Sequence, residues 1–123
     1  IKDYCETIEL LINIEKEKIQ KQIFNVGYQN MSINEIANLV KKVVEKEFPD
    51  KGEIPIVKTP SNDNRSYHIN SDKIFHKLGY KPSYSIETAI RDLCQAFKDE
   101  KLPDSFDNDF YFNVQRLKRI QAK

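Results

Sequence analysis

Apolar positions recur along the chain with two different periods, and the switches between them lay out its elements. Ile1, Tyr4, Cys5, Ile8, Leu11 and Ile12 fall at helical spacing, and the exposed face of that first helix is expected to end in the charged run Glu15-Lys16-Glu17-Lys18. Residues 22–26 (QIFNV) form a short apolar run rich in β-formers, ended by Gly27, and predict a buried strand. Ser32 with Glu35 three residues later is a capping box, so a helix is expected to start there. Its stripe of Ile33, Ile36, Ala37, Val40, Val43 and Val44 runs to about Phe48, where 49–52 (PDKG) stop it. Residues 54–57 predict a second strand, at an edge or a strand start because Pro55 lacks a backbone donor. A polar loop over 59–64 leads to an extended piece over 66–69, and Ser71 is expected to cap a helix that Gly79 ends before Pro82. Ile86, Ala89, Ile90, Leu93, Cys94 and Phe97 give the cleanest helical period. Beyond Pro103, an acidic aromatic loop precedes a short helix within 115–123. The pattern predicts a small α/β domain of four or five helices and two or three short strands, with residues 1–123 as a single domain.

Composition narrows the function classes. The 123 residues suffice for one domain with a sizeable core. Lys plus Arg (20) nearly balances Asp plus Glu (19), so no net field favours nucleic acid or an anionic membrane. No apolar run approaches the roughly 20 residues that span a bilayer, and the N-terminus carries no basic segment followed by an apolar core. A cytoplasmic location is therefore expected. Cys5 and Cys94 both lie on apolar helix faces, which predicts small buried hydrophobes in place of a disulfide, and His68 and His76 do not form ligand pairs, so no metal site is expected.

The stretch 62–82, NDNRSYHINSDKIFHKLGYKP, carries Arg65, Asn70 and Lys73, then Leu78-Gly79-Tyr80-Lys81-Pro82. It resembles the R-x-x-x-x-D-x-x-K and L-G-W-x-P run of the NAD-dependent epimerase/dehydratase family, the extended short-chain dehydrogenases. Ile1-Lys2-Asp3-Tyr4 is similar to that family's entry into a long helix, and Ile23-Phe24-Asn25-Val26-Gly27 to its v-y-N-v-G strand, so the resemblance covers residues 1 to about 97. Asn70 replaces the family's usual Asp and keeps an acceptor without the charge. Tyr80, in place of a frequent Trp, keeps a flat apolar face with a polar tip.

The resemblance implies the C-terminal substrate-binding subdomain of a Rossmann-type enzyme, holding a nucleotide-diphosphate sugar. The family binds NAD(P) through a glycine-rich turn at a helix N-terminus. Gly27, Gly52 and Gly79 are too far apart for any G-x-G-x-x-G. The family's acid–base pair is a Tyr with a Lys four positions later. Here the six tyrosines are followed at that spacing by Ile8, Ser32, Ser71, Tyr84, Thr88 and Gln115. No catalytic, cofactor-binding or metal-binding residue is therefore expected within the chain, which by itself is expected to be inactive. Starting in a helix at Ile1, it reads as an excised C-terminal domain whose partner is the N-terminal Rossmann domain of the same polypeptide. Self-association through the surface left exposed is expected.

Arg65 is the first candidate for substrate binding, since a diphosphate suits a planar multidentate cation and the chain otherwise prefers lysine, 16 to 4. The plainer alternative pairs Arg65 with Asp63 or Asp72. Asn62 and Asn64 could bond sugar or ribose hydroxyls, or build an Asx turn with Asp63. Tyr67 and His68 fall on opposite faces of the extended piece, so one of them should turn inward toward core or ligand, and for His68 a satisfied structural histidine is the favoured reading over ligand contact. Lys73 is expected to be solvated, and His76 to lie on the polar side of a surface helix. Residues 28–30 follow a strand end, where ligands approach α/β folds. Arg116, Lys118 and Arg119 make a small basic patch. Two other classes compete: a small non-catalytic adaptor or interaction domain, and a nucleic-acid binder using that patch, which the near-zero net charge disfavours.

Overall fold

The computed structural model describes residues 1–60, 62 and 67–121. Among these there are six α-helices and no strand, which overturns the expected α/β class. Helix α1 spans Lys2–Asn13, α2 Lys16–Ile19, α3 Ile33–Glu47, α4 Asp72–Leu78, α5 Ile86–Lys98 and α6 Asn113–Arg119. Short 3-10 turns occupy Pro49–Lys51 and Asp109–Tyr111. Residues 22–26, 54–57 and 67–69 carry β-forming side chains yet are irregular. A strand exists only where a second backbone supplies the ladder. Here the groups that meet these segments are side chains: the Lys73 ammonium donates to Ile23 O (2.8 Å), and the Ile54 N–H donates to a Glu45 carboxylate oxygen (2.9 Å).

The chain forms two compact units, Ile1–Arg91 and Asp92–Lys123. In the first, the α3 capping box is complete: Glu35 N–H donates to Ser32 Oγ (3.2 Å) and Ser32 N–H to Glu35 Oε2 (2.7 Å). Helix α3 buries Val43 and ends at Phe48, and Gly52 turns the chain at φ 70°, where other residues are strained. Lys41 then pairs with Glu53 at 2.7 Å and holds the returning loop against α3. Helix α4 buries Ile74 completely and ends at Gly79, a left-handed C-cap at φ 70°. Arg91 of α5 reaches Glu47 of α3 at 2.8 Å and Glu87 of its own helix at 2.8 Å.

The L-G-Y-K-P run is pinned to α1. The Tyr80 hydroxyl donates to Asp3 O (2.9 Å), and the buried Thr7 hydroxyl donates to the same oxygen (2.7 Å). Burial raises the Tyr80 phenol above its ordinary pKa. The Asp3 carboxylate accepts from Ser83 N–H (2.8 Å) and Tyr84 N–H (3.3 Å), and fixes the turn after Pro82. Gln29 reaches forward to accept the Ile86 N–H (2.9 Å) at the start of α5.

In the second unit Cys94 is buried and Asn108 caps the 3-10 turn through the Phe110 N–H (3.0 Å). Asp109 pairs with Arg119 at 3.0 Å, and the Arg116 guanidinium stacks 4.2 Å from the Phe110 ring. The basic patch is therefore partly spent on a local acid and an aromatic face.

Little of the apolar surface is enclosed. Val43, Ile74 and Cys94 are the buried apolar side chains among the described residues, whereas Ile1, Tyr4, Ile8 and Ile12 of the α1 stripe are exposed. Cys5 is also exposed, against expectation, because the α1 stripe that carries it has no cover. The accessible surface is 10592 Å².

Candidate functional site

The site lies within the first unit, where residues after Gly27 meet the segment that starts α4. Two side chains join these stretches in place of a β-ladder. The Asn30 carboxamide takes both backbone groups of Ile69: Ile69 N–H donates to Asn30 Oδ1 (2.8 Å), and Asn30 Nδ2 donates to Ile69 O (2.9 Å). Two residues on, Ser71 does the same for Gly27, accepting its N–H (2.8 Å) and donating to its carbonyl (2.9 Å). The fit is close, since a Cβ at Gly27 would come within 3.1 Å of Ile69 Cγ2.

With its hydroxyl occupied at Gly27, Ser71 makes no side-chain cap for α4, although it occupies the N-cap position. Asn70 takes over: its Oδ1 accepts the Asp72 N–H (2.8 Å) and its Nδ2 donates to Asp72 Oδ2 (2.9 Å). Lys73 is not simply solvated, for its ammonium is bonded to Ile23 O and lies 5.1 Å from the Phe24 ring centre. Both contacts fasten residues 23–24 to α4.

This framework opens a cleft of about 680 Å³. One bank is Gly27, Tyr28 and Asn30; the other is His68, Ile69, Asn70, Ser71 and Asp72. Phe75 and His76 of α4 and Lys81 with Pro82 complete the lining. Phe75 and His76 touch edge to face with centroids 5.4 Å apart. The wall thus offers aromatic faces, two carboxamides, one carboxylate, one ammonium and two imidazoles. That mixture suits a polar ligand with a flat portion and acceptor oxygens.

The sequence-derived candidates separate here. His68 lines the cleft, whereas Tyr67 is 74 % exposed and does not, so His68 is the member of that pair turned to the cavity. Asn62 is exposed and outside the lining. Arg65 and Asn64, with Asp63, lie outside the described residues. The loop Tyr28-Gln29-Asn30 contributes two lining residues and one helix-capping residue. Phe75 and His76 went unassigned in the sequence. Their signal was present: each sits four positions after Ser71 or Asp72, on the same side of the helix. Among the described residues no cluster of His, Cys, Asp and Glu could hold a metal ion, and no helix is long and apolar enough to cross a membrane.

Comparison with known proteins gives one relation. The chain is 32% identical over 75 residues, 57% of its length, to dTDP-glucose 4,6-dehydratase of Shigella flexneri. The Escherichia coli dTDP-glucose 4,6-dehydratase matches to the same extent. Both are members of the NAD-dependent epimerase/dehydratase family, and the chain is distantly related to them. It spans about a fifth (21%) of the length of these curated relatives. No protein-family model and no solved structure matches it.

Proposed function

We propose that this chain is the nucleotide-sugar-binding portion of an NAD-dependent sugar-nucleotide epimerase or dehydratase, and that its cleft receives the nucleotide diphosphate. The observation that carries this reading is the cleft of about 680 Å³ built where residues 28–30 meet the start of α4. Its volume falls within the roughly 300–1,000 Å³ usual for small-ligand sites. The distant relation to two dTDP-glucose 4,6-dehydratases supports the same class and makes a deoxythymidine-diphosphate sugar the first ligand to try.

In this reading Arg65 is the cation for the diphosphate, and Asn62 and Asn64 bond ribose or sugar hydroxyls. Tyr67 and His68 follow directly on that loop. NAD or NADP binds in an N-terminal Rossmann domain of the same polypeptide and supplies hydride chemistry there. The residues of this chain bind and orient the nucleotide and move no proton, since it has neither a glycine-rich phosphate turn nor a Tyr-x-x-x-Lys pair. The exposed α1 stripe of Ile1, Tyr4, Ile8 and Ile12 faces that domain, and drives self-association where the domain is absent.

Calorimetric titration with dTDP-glucose and, separately, with NAD tests the assignment. Heat of binding is expected with the sugar nucleotide and none with NAD. Binding of NAD without the sugar nucleotide would sink it.

A further inference from the structure

Asn30 sits between two partners. Its carboxamide cannot be turned over, because Ile69 N–H requires the oxygen and Ile69 O requires the amino group. The same amino group is 3.5 Å from His68 Nε2. An amino group has only hydrogens to offer, so a hydrogen bond across this contact places the lone pair on the ring nitrogen facing it. A neutral imidazole then carries its proton on Nδ1.

We propose that Asn30 is a positioning residue that holds His68 as the neutral Nδ1–H tautomer, so that the cleft is furnished with an N–H donor for an acceptor oxygen of the nucleotide. The contact at 3.5 Å is long, and its sign is what matters: an Nε2–H would set donor against donor, whereas a lone pair there accepts from the amino group. The other charged or titratable side chains lining the cleft are Tyr28, Asp72, His76 and Lys81. Of these, Asp72 is engaged by the Asn70 amide, and among the described residues Asn30 is the one within hydrogen-bond range of the His68 ring. The ligand role rests on the functional reading given above; the tautomer does not.

Long-range nitrogen–proton correlation spectra of the isotope-labelled chain at about pH 8, above the ordinary imidazole range, report the tautomer of each histidine directly. The expected pattern for His68 is a protonated Nδ1 and a bare Nε2, with His76 as the second histidine in the same spectrum. In Asn30→Asp, a carboxylate still accepts the Ile69 N–H but faces Nε2 with an acceptor, and His68 should switch to the Nε2–H form. An Nε2–H pattern in the wild type overturns the inference even if the variant fails to fold, as does a folded variant without the switch. Added deoxythymidine diphosphate should shift His68 Nδ1 more than either nitrogen of His76. Calorimetric binding that leaves His68 unmoved overturns its ligand role. No binding at all overturns the functional reading and that role together, while the tautomer pattern still decides what Asn30 does.

Discussion

Ser71 and Gly27 are joined in both directions, the hydroxyl accepting the glycine N–H at 2.8 Å and donating to the glycine carbonyl at 2.9 Å. One side chain thus satisfies a complete peptide partner 44 residues away, the service a neighbouring strand would otherwise perform. Removing it strands two partly buried backbone groups. Ser71→Ala is expected to cost about 1–3 kcal/mol and to lower the midpoint of thermal unfolding by several degrees, read by circular dichroism. An unchanged midpoint would show that these bonds are replaced by water without loss.

Asn70 bridges Asp72 with both ends of its amide. The related family usually has Asp at this position, and in this chain that residue would set a carboxylate against a carboxylate. Asn70→Asp is therefore expected to destabilise the start of α4 by about 0.5–1.5 kcal/mol. The neighbouring Asp72 charge raises the pKa of the introduced acid in the folded chain. The deficit is thus present at neutral pH and shrinks as pH falls through that raised value, which urea unfolding at several pH values would follow.

The α3 cap predicts a pH effect of opposite sign. Hydrogen bonds from the Ser32 backbone and hydroxyl hold the Glu35 carboxyl below its ordinary pKa. A group whose folded pKa is depressed contributes stability above its unfolded value and loses that contribution as pH falls through the folded one. Wild-type stability should therefore decline below about pH 4.3, the ordinary Glu value, and Glu35→Gln should show a shallower decline. Matching slopes would remove Glu35 from the account of acid sensitivity.

Tyr80 anchors the L-G-Y-K-P turn to α1 through its hydroxyl, which donates to Asp3 O at 2.9 Å and lies 3.3 Å from Glu6 Oε2. Tyr80→Phe keeps the ring and loses that bond, so about 0.5–1.5 kcal/mol is expected from denaturant unfolding. Asp3→Ala should cost at least as much, because its carboxylate holds both Ser83 N–H and Tyr84 N–H. If either variant equals wild type, α1 does not brace the turn.

Most helices were legible because their determinants are local; the first was expected to carry the charged run 15–18, but it ends at Asn13 and Lys16–Ile19 forms a separate short helix. Ser32 and Glu35 are three residues apart and form the capping box as expected, and Gly79 ends α4 in the left-handed conformation its position implies. The strands were misjudged because a strand depends on what lies beside it, and Ile23, Phe24 and Ile54 meet side chains where β-propensity anticipates a backbone. The cap at Ser71 failed for a related reason: a local rule assigned its hydroxyl to the next turn, and Gly27 took it. In the cleft, His68 and the 28–30 loop could be nominated from the sequence, whereas the Asn30 to Ile69 pairing, 39 residues apart, has no local signal. The four-residue spacing from Asp72 to His76 was available and unused.

The most direct test of the central claim is a residue-resolved amide chemical-shift map recorded while dTDP-glucose is titrated into the chain. Perturbations concentrated on Tyr28, Asn30, His68 and Phe75, and saturating together, are the predicted result. Shifts confined to the exposed α1 stripe, or none at millimolar ligand, would contradict it.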